Sequence, residues 1–346
     1  MRRSTAVLAA LVVGLATALA ACGNGEEPEP TPTTAGETAA EETTGTAAPA
    51  DGEEYDISFI QGVIGDEFYI SMECGVLAAA EEMGNVNVST QGPARFDPVE
   101  QQPIVTSVIE SGPDALLIAP TDVTAMQRPL QEAVDAGIEL ILVDTTLEDP
   151  SIAASAIASD NIGGGAAAFE AIQQLVPEGG QVFVVGHQPG ISTTDLRIQG
   201  FEEAVAKDSN FEYVGKEFAQ NEPARAAQII SATLQRYPDL VGVFATNIFA
   251  AEGVATGIEQ AGRDDIVVIG FDAGPAQIQA LQENVIQAII AQQPFDIGYQ
   301  AVQQAVAALS GGTVTADIQT GFTIITQECY ESGECADAVY MSECER

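Results

Sequence analysis

After about residue 54, apolar runs of strand length alternate with longer amphipathic stretches almost without exception. The strands this pattern predicts are Tyr55 to Gln61, Val86 to Gln91, Ala115 to Ala119, Leu140 to Asp144, Gln181 to Gly186, Tyr213 to Phe218, Val241 to Thr246, Ile266 to Phe271 and Ile286 to Ala291. Several are apolar at consecutive positions, as in Leu140-Ile141-Leu142-Val143, so both faces must be covered, as in a parallel sheet between helices. The predicted helices are Phe68 to Met83, Pro98 to Glu110, Thr124 to Ala136, Gly164 to Val176, Asp195 to Lys207, Pro223 to Arg236, Phe249 to Gln260, Pro275 to Gln282 and Pro294 to Leu309. Many begin at Pro and end at Gly, the usual helix boundaries. Repeated βα units over roughly two domains' length predict two doubly wound lobes rather than one closed barrel.

The first 54 residues break the pattern. Arg2-Arg3, an apolar run from Ala6 to Leu19 and then Leu19-Ala20-Ala21-Cys22 read as an export signal over residues 1–21. Cys22 directly after Leu-Ala-Ala resembles a bacterial lipoprotein site, so Cys22 is expected to carry lipid and hold the protein to the outer face of a membrane; an ordinary signal peptide is the alternative. Residues 22–54, built from Glu, Pro, Thr, Ala and Gly, hold too little apolar surface to fold and read as an acidic tether.

Charge narrows the partners. Eleven Lys and Arg stand against 51 Asp and Glu, a formal net charge of −40, with Lys207 and Lys216 the only lysines. With no basic patch to neutralise phosphates, nucleic acid is excluded as a partner. The acidity is spread along the chain rather than concentrated in a block, which reads as salt adaptation before it reads as a docking surface for a cationic partner. Besides Cys22 the chain has Cys74, Cys329, Cys335 and Cys344, an even number that in an exported protein predicts disulfides, with the pairing left open. Zinc competes poorly, because His187 is the lone histidine and the spacings are not those of zinc modules; no metal and no cofactor are expected.

Ligands of open parallel sheets bind beyond the carboxyl ends of the strands. There the chain places Asp66, Phe68 and Tyr69 after the first strand, Asp144 after Leu140 to Val143, Arg197 beyond Phe183 to Val185, Asn247 after Thr246, Asp272 after Phe271, and Gln292 after Ala291. Carboxylates and amides hold adjacent hydroxyls, and an aromatic face covers the apolar side of a sugar ring. The set describes a polyol pocket. Asp144 and Asp272 could instead serve as caps, and Arg197 as a surface ion-pair partner.

Phe68-Tyr69, Ile157-Ala158-Ser159-Asp160-Asn161, Arg197-Ile198-Gln199-Gly200-Phe201, Val243-Phe244-Ala245-Thr246-Asn247, Val268-Ile269-Gly270-Phe271-Asp272 and Ile290-Ala291-Gln292-Gln293-Pro294 occur in an order that resembles the ribose-binding protein group of periplasmic sugar-binding proteins. The resemblance runs from about Tyr55 to Thr326. It implies the type I periplasmic binding protein fold: two doubly wound α/β lobes joined by three hinge crossings near Ser159, Gln293 and Phe322. The lobes would be 55–158 plus 293–321 and 159–292 plus 322–346, the latter with a Cys-rich tail.

By position, Asp66, Phe68, Tyr69 and Asp144 would bind ligand from the first lobe, and Arg197, Asn247, Phe271, Asp272 and Gln292 from the second. Two positions depart from the group: Thr145 stands where an Arg is usual, and Asn221 where a second aromatic sandwiches the sugar. The resemblance implies the substrate-binding component of an ABC importer, acting as a monomer with a membrane permease as partner. The two departures argue against ribose bound in the usual way, and Asp66, Asp144 and Asp272 against one Arg197 favour a neutral sugar, a cyclic polyol or an amine-bearing ligand over an anion. The alternative is a receptor that presents a bound sugar or signal molecule to a sensor. Nothing requires catalysis: Gly163-Gly164-Gly165 lacks the Gly-Lys-Ser/Thr ending of a phosphate loop, there is no Gly-x-Ser-x-Gly elbow, and no spacing demands a glycosidase pair of carboxylates.

Overall fold

The computed structural model describes residues 53–344. The expected export signal, Cys22 and nearly all of the expected tether lie outside them. The chain starts in one sheet with β1 (Tyr55–Ile60), β2 (Val86–Gln91), β3 (Ala115–Ile118), β4 (Glu139–Val143) and β5 (Ser155–Ser159), linked by α1 (Glu67–Met83), α2 (Pro98–Ser111) and α3 (Gln127–Asp135). It then builds a second sheet from β6 (Gly180–Gly186), β7 (Phe211–Phe218), β8 (Leu240–Ala245), β9 (Val267–Phe271) and β10 (Ala288–Gln292), with α4 (Asn161–Leu175), α5 (Ser192–Val205), α6 (Pro223–Arg236), α7 (Ile248–Ala261) and α8 (Pro275–Gln282). Helix α9 (Pro294–Leu309) and β11 (Asp317–Thr320) return to the first lobe, β12 (Phe322–Thr326) to the second, and α10 (Gln327–Ser332) opens the tail.

The sheet orders are β11-β5-β4-β3-β1-β2 and β12-β10-β9-β8-β6-β7, the same winding twice. Every pairing is parallel except β10 with β12. The inner strands β3, β9 and β10 are buried nearly throughout, because helices cover both faces. Edge strand β2 instead alternates half-buried and exposed positions.

The nine expected strands are present, and three more join them. Strand β5 alternates small and apolar residues, Ser155-Ala156-Ile157-Ala158-Ser159, without a run to mark it, while β11 and β12 are short and partly exposed, so their membership depends on neighbouring strands.

The chain crosses between lobes at Asp160, Gln293 and Gly321. Ser159 pairs with Thr320 and Gln292 with Phe322, so the crossings run side by side. Glycine lets the main helix pairs approach closely. A side chain on Gly165 of α4 would strike the Arg197 carbonyl and one on Gly200 of α5 the Ile162 carbonyl; Gly75 and Gly298 play the same part between α1 and α9. Backbone contact between α4 and α5 therefore fixes the height at which Arg197 leaves its helix.

Candidate functional site

Both sheets aim their carboxyl ends at one cleft, a volume of about 380 Å³ not filled by atoms. Nine of the eleven expected residues line it: Asp66, Phe68, Tyr69, Asp144, Arg197, Asn221, Asn247, Asp272 and Gln292. The lobes also touch across its mouth, where the Thr146 N–H donates to Ser192 Oγ at 3.0 Å and the rings of Phe96 and His187 meet edge to face at 5.1 Å.

From the first lobe, Asp66 caps α1 by accepting the Phe68 N–H at 2.9 Å, which leaves its second oxygen for the cleft. The Tyr69 hydroxyl donates to Asp144 Oδ2 at 2.7 Å. Asp144 sits at φ 61 and Asp272 at φ 76, left-handed conformations that few residues besides glycine adopt and that aspartate is among the better able to take. The turn swings each carboxylate off the end of its strand into the cleft, and neither residue caps the following helix.

From the second lobe, Arg197 is held from several sides. Its Nε donates to Asn161 Oδ1 and its Nη1 to the Thr246 carbonyl, both at 2.8 Å, its guanidinium lies 3.8 Å above the Phe271 ring, and Nη1 is 3.9 Å from Asp272 Oδ2. Asp272 Oδ1 accepts from Gln292 Nε2 at 2.6 Å and from the Tyr340 hydroxyl at 3.0 Å. The Asn247 amide donates to Asn221 Oδ1 at 2.6 Å. Gln292 Oε1 is buried and makes no hydrogen bond.

Two expected residues do not line the cleft. Thr145 turns back into the first lobe after the Asp144 kink, and its buried hydroxyl is satisfied by the Pro120 carbonyl at 2.7 Å. Phe271 ends a strand on which side chains alternate between faces, so it sits in the apolar core and forms the floor under Arg197.

Conversely, Phe96, His187, Ile191, Thr193 and Thr194 line the cleft without having been singled out. His187 immediately follows β6, so the strand-end rule could have found it. Phe96 lies in a loop with no such signal. Tyr340 comes from the tail, where the resemblance ends.

Electrostatically the site is three carboxylates against one guanidinium. Burial, then the nearby Asp272, raises the Asp66 carboxyl to about 8. Burial raises Asp144 to about 6, although Arg197 and the Tyr69 hydroxyl oppose the rise. Asp272 is raised by burial too, with Arg197, Gln292 and Tyr340 acting against it. His187 is pushed down to about 4 by burial and the Arg197 charge, so it stays neutral at ordinary pH. The tail cysteines are all paired, Cys74 with Cys344 and Cys329 with Cys335, which leaves no thiolate among them for zinc.

A family model described as a periplasmic binding protein domain matches residues 57–313. The chain belongs to the periplasmic binding protein family. It is similar to the ribose import binding protein RbsB of Bacillus subtilis, 30% identical over 80% of this chain and 88% of that one. It is also similar to RbsB of Escherichia coli, 28% identical over 79% of this chain and 90% of that one. Among solved structures, an ABC transporter solute binding protein from Agrobacterium vitis bound with alpha-D-tagatopyranose superimposes with a TM-score of 0.81 at 38% identity, covering 83% of this chain and all of that one. Another from the same organism, with bound D-fucose, gives 0.78 at 26% identity, over 82% of this chain and all of that one. These relatives are sugar-binding transport proteins, not enzymes.

Proposed function

We propose that this protein is the lipid-anchored substrate-binding component of an ABC importer for a neutral monosaccharide or polyol. The observation that carries the reading is the composition of the cleft: three buried carboxylates, one guanidinium, amides on Asn221, Asn247 and Gln292, and the aromatic rings of Phe68, Tyr69 and Phe96. Carboxylates and free amide oxygens accept hydrogen bonds from hydroxyls, and rings cover the apolar face of a sugar. An anionic ligand would meet net negative charge in a desolvated site and be rejected.

Closure follows from the same electrostatics. Asp66 and Asp144 belong to one lobe and Asp272 to the other; burial and the charge across the cleft keep Asp66 largely protonated below about pH 8, so that it can donate to a ligand oxygen, while the Asp144 charge repels that of Asp272. Sugar hydroxyls donating to these carboxylates replace lost water and offset that repulsion, so ligand favours the closed form more than the open one. The closed face then docks, as a monomer, on a membrane permease, and Cys22 with the acidic tether keeps the clamp within reach. Kinship with export-type binding proteins supports an extracytoplasmic address.

The test is thermal unfolding against a panel of D-ribose, D-allose, D-tagatose, D-fucose, D-arabinose, inositols, amino sugars and sugar phosphates. Stabilisation by a neutral member and none by the phosphates is expected, and a phosphate as the best ligand would refute the reading. Replacing Cys22 with Ala should release the protein from membranes; unchanged membrane retention would remove the anchor.

A further inference from the structure

The Cys-rich tail has no part in the binding scheme above. It leaves β12 in the second lobe, folds through α10, and is pinched into a small loop by the Cys329–Cys335 bond. Tyr340 then docks on the second lobe: its N–H donates to the Ala273 carbonyl at 3.0 Å, while its hydroxyl accepts the Gln292 N–H at 2.9 Å and donates to Asp272 at 3.0 Å. Its ring lies 5.9 Å from that of Phe68, on the other lobe. The next residue, Met341, donates its N–H to Ser71 Oγ at 2.7 Å, and Cys344 is bonded to Cys74; both partners lie on α1 of the first lobe. The expected assignment of 322–346 to the second lobe thus ends at Tyr340, and Met341 to Cys344 are seated on the first.

The geometry points to a fourth crossing between the lobes, in which the covalently closed segment from Tyr340 to Cys344 limits how far the cleft opens and Tyr340 acts as a positioning residue for Asp272 and Gln292. The inference rests on the hinge-closure reading above. Four residues reach at most about 14 Å when fully extended. While Tyr340 stays docked, α1 at Cys74 can move no farther from Ala273 than this leash and the cysteine side chains allow. Wider opening must pull Tyr340 from its seat, which exposes a buried ring and takes one of two donors from Asp272 Oδ1. Lobe separation and the state of the ligand-binding carboxylate are therefore coupled through one phenol. In an oxidising compartment the bond that closes the leash persists.

The test needs no sugar, so its outcome is read separately from that of the ligand panel. Donor and acceptor dyes are attached through clickable residues at the exposed positions Val99, on the first lobe, and Leu175, on the second, and single-molecule energy transfer records their separation in the ligand-free protein. Oxidised wild type should give one narrow distribution. Cys344→Ser, and wild type reduced with a water-soluble phosphine, should populate longer separations. If Cys344→Ser fails to fold, the reduced wild type decides alone. Distributions no wider than the oxidised wild type's overturn the tether.

For Tyr340, Tyr340→Phe keeps the ring and removes the donor. The Asp272 carboxyl, followed by carbon-13 NMR and assigned with Asp272→Asn, should titrate at higher pH in Tyr340→Phe, because a hydrogen bond that favours the ionised form is gone. An unchanged titration overturns the positioning role, since a merely structural phenol would not move it.

Discussion

Asp66→Asn should make the ligand-free protein more stable at pH 8 than the parent. The side chain caps α1 through the Phe68 N–H, and an amide oxygen accepts that bond nearly as well as a carboxylate, so the cap is kept. The change removes a buried charge. In the fold the carboxyl titrates at about 8, against an ordinary 3.8, because burial and then Asp272 disfavour ionisation.

For an acid whose folded pKa is raised, the unfolded chain gives up its proton first. From about pH 4 to pH 8 the native state therefore binds more protons, and stability falls as pH rises through this window. Each tenfold change in proton affinity is ~1.4 kcal/mol, which gives a ceiling of ~6 kcal/mol for a rise from 3.8 to about 8. Relaxation and water entry reduce this, and a gain of about 2–3 kcal/mol at pH 8 is expected. Near pH 4 the gain should shrink to less than ~1 kcal/mol, since Asp66 is then protonated in the fold and a little under half protonated in the unfolded chain. Calorimetric unfolding at pH 4.5, 6 and 8 reads it, at roughly 2 °C or more per kcal/mol. A variant that melts lower than the parent at pH 8, or whose gain does not grow with pH, would refute the argument that Asp66 is held against its charge.

Arg197→Ala removes the only Lys or Arg lining the cleft among the described residues together with its bonds to Asn161 and Thr246, and Asp272→Ala removes the acceptor shared by Gln292 and Tyr340. Each should weaken sugar binding more than tenfold by calorimetry, and equal affinity would remove either residue from the site. Gly165→Ala, by pushing the Arg197 carbonyl away, should lower both melting temperature and affinity; a melting temperature within about 1 °C of the parent would show that α4 and α5 do not need their contact. Lowering the salt concentration should destabilise the fold, because the formal charge of −40 is spread over the chain; a melting temperature indifferent to salt counts against this. Mass spectrometry of the non-reduced protein should find no free thiol on Cys74, Cys329, Cys335 or Cys344, and two free thiols would delete one bond.

The lobes were legible because a parallel strand buried on both faces, such as Ile266-Val267-Val268-Ile269, has to be apolar at every position, and helices between such strands carry their own start and stop signals. Strand β5 escaped because small alternating residues acquire strand character only from β4 and β11 on either side.

In the cleft, residues directly after strand ends were found by rule, as Asp144, Asn247 and Asp272 show. Whether a candidate faces ligand depends on a single backbone angle. The left-handed turn at Asp144 delivers its carboxylate to the cleft and sends Thr145 to the Pro120 carbonyl, and nothing in an Asp-Thr pair announces that choice.

By itself the chain determined two βα lobes, an acidic character and a polar, hydroxyl-binding set of strand ends, because burial periodicity and strand-end placement are local and repeat along the sequence. Only the tertiary structure decided that Cys344 reaches Cys74, 270 residues away, and that Tyr340 stands behind Asp272. Those contacts bring together segments distant in sequence, and long-range proximity leaves no periodic trace in either of them.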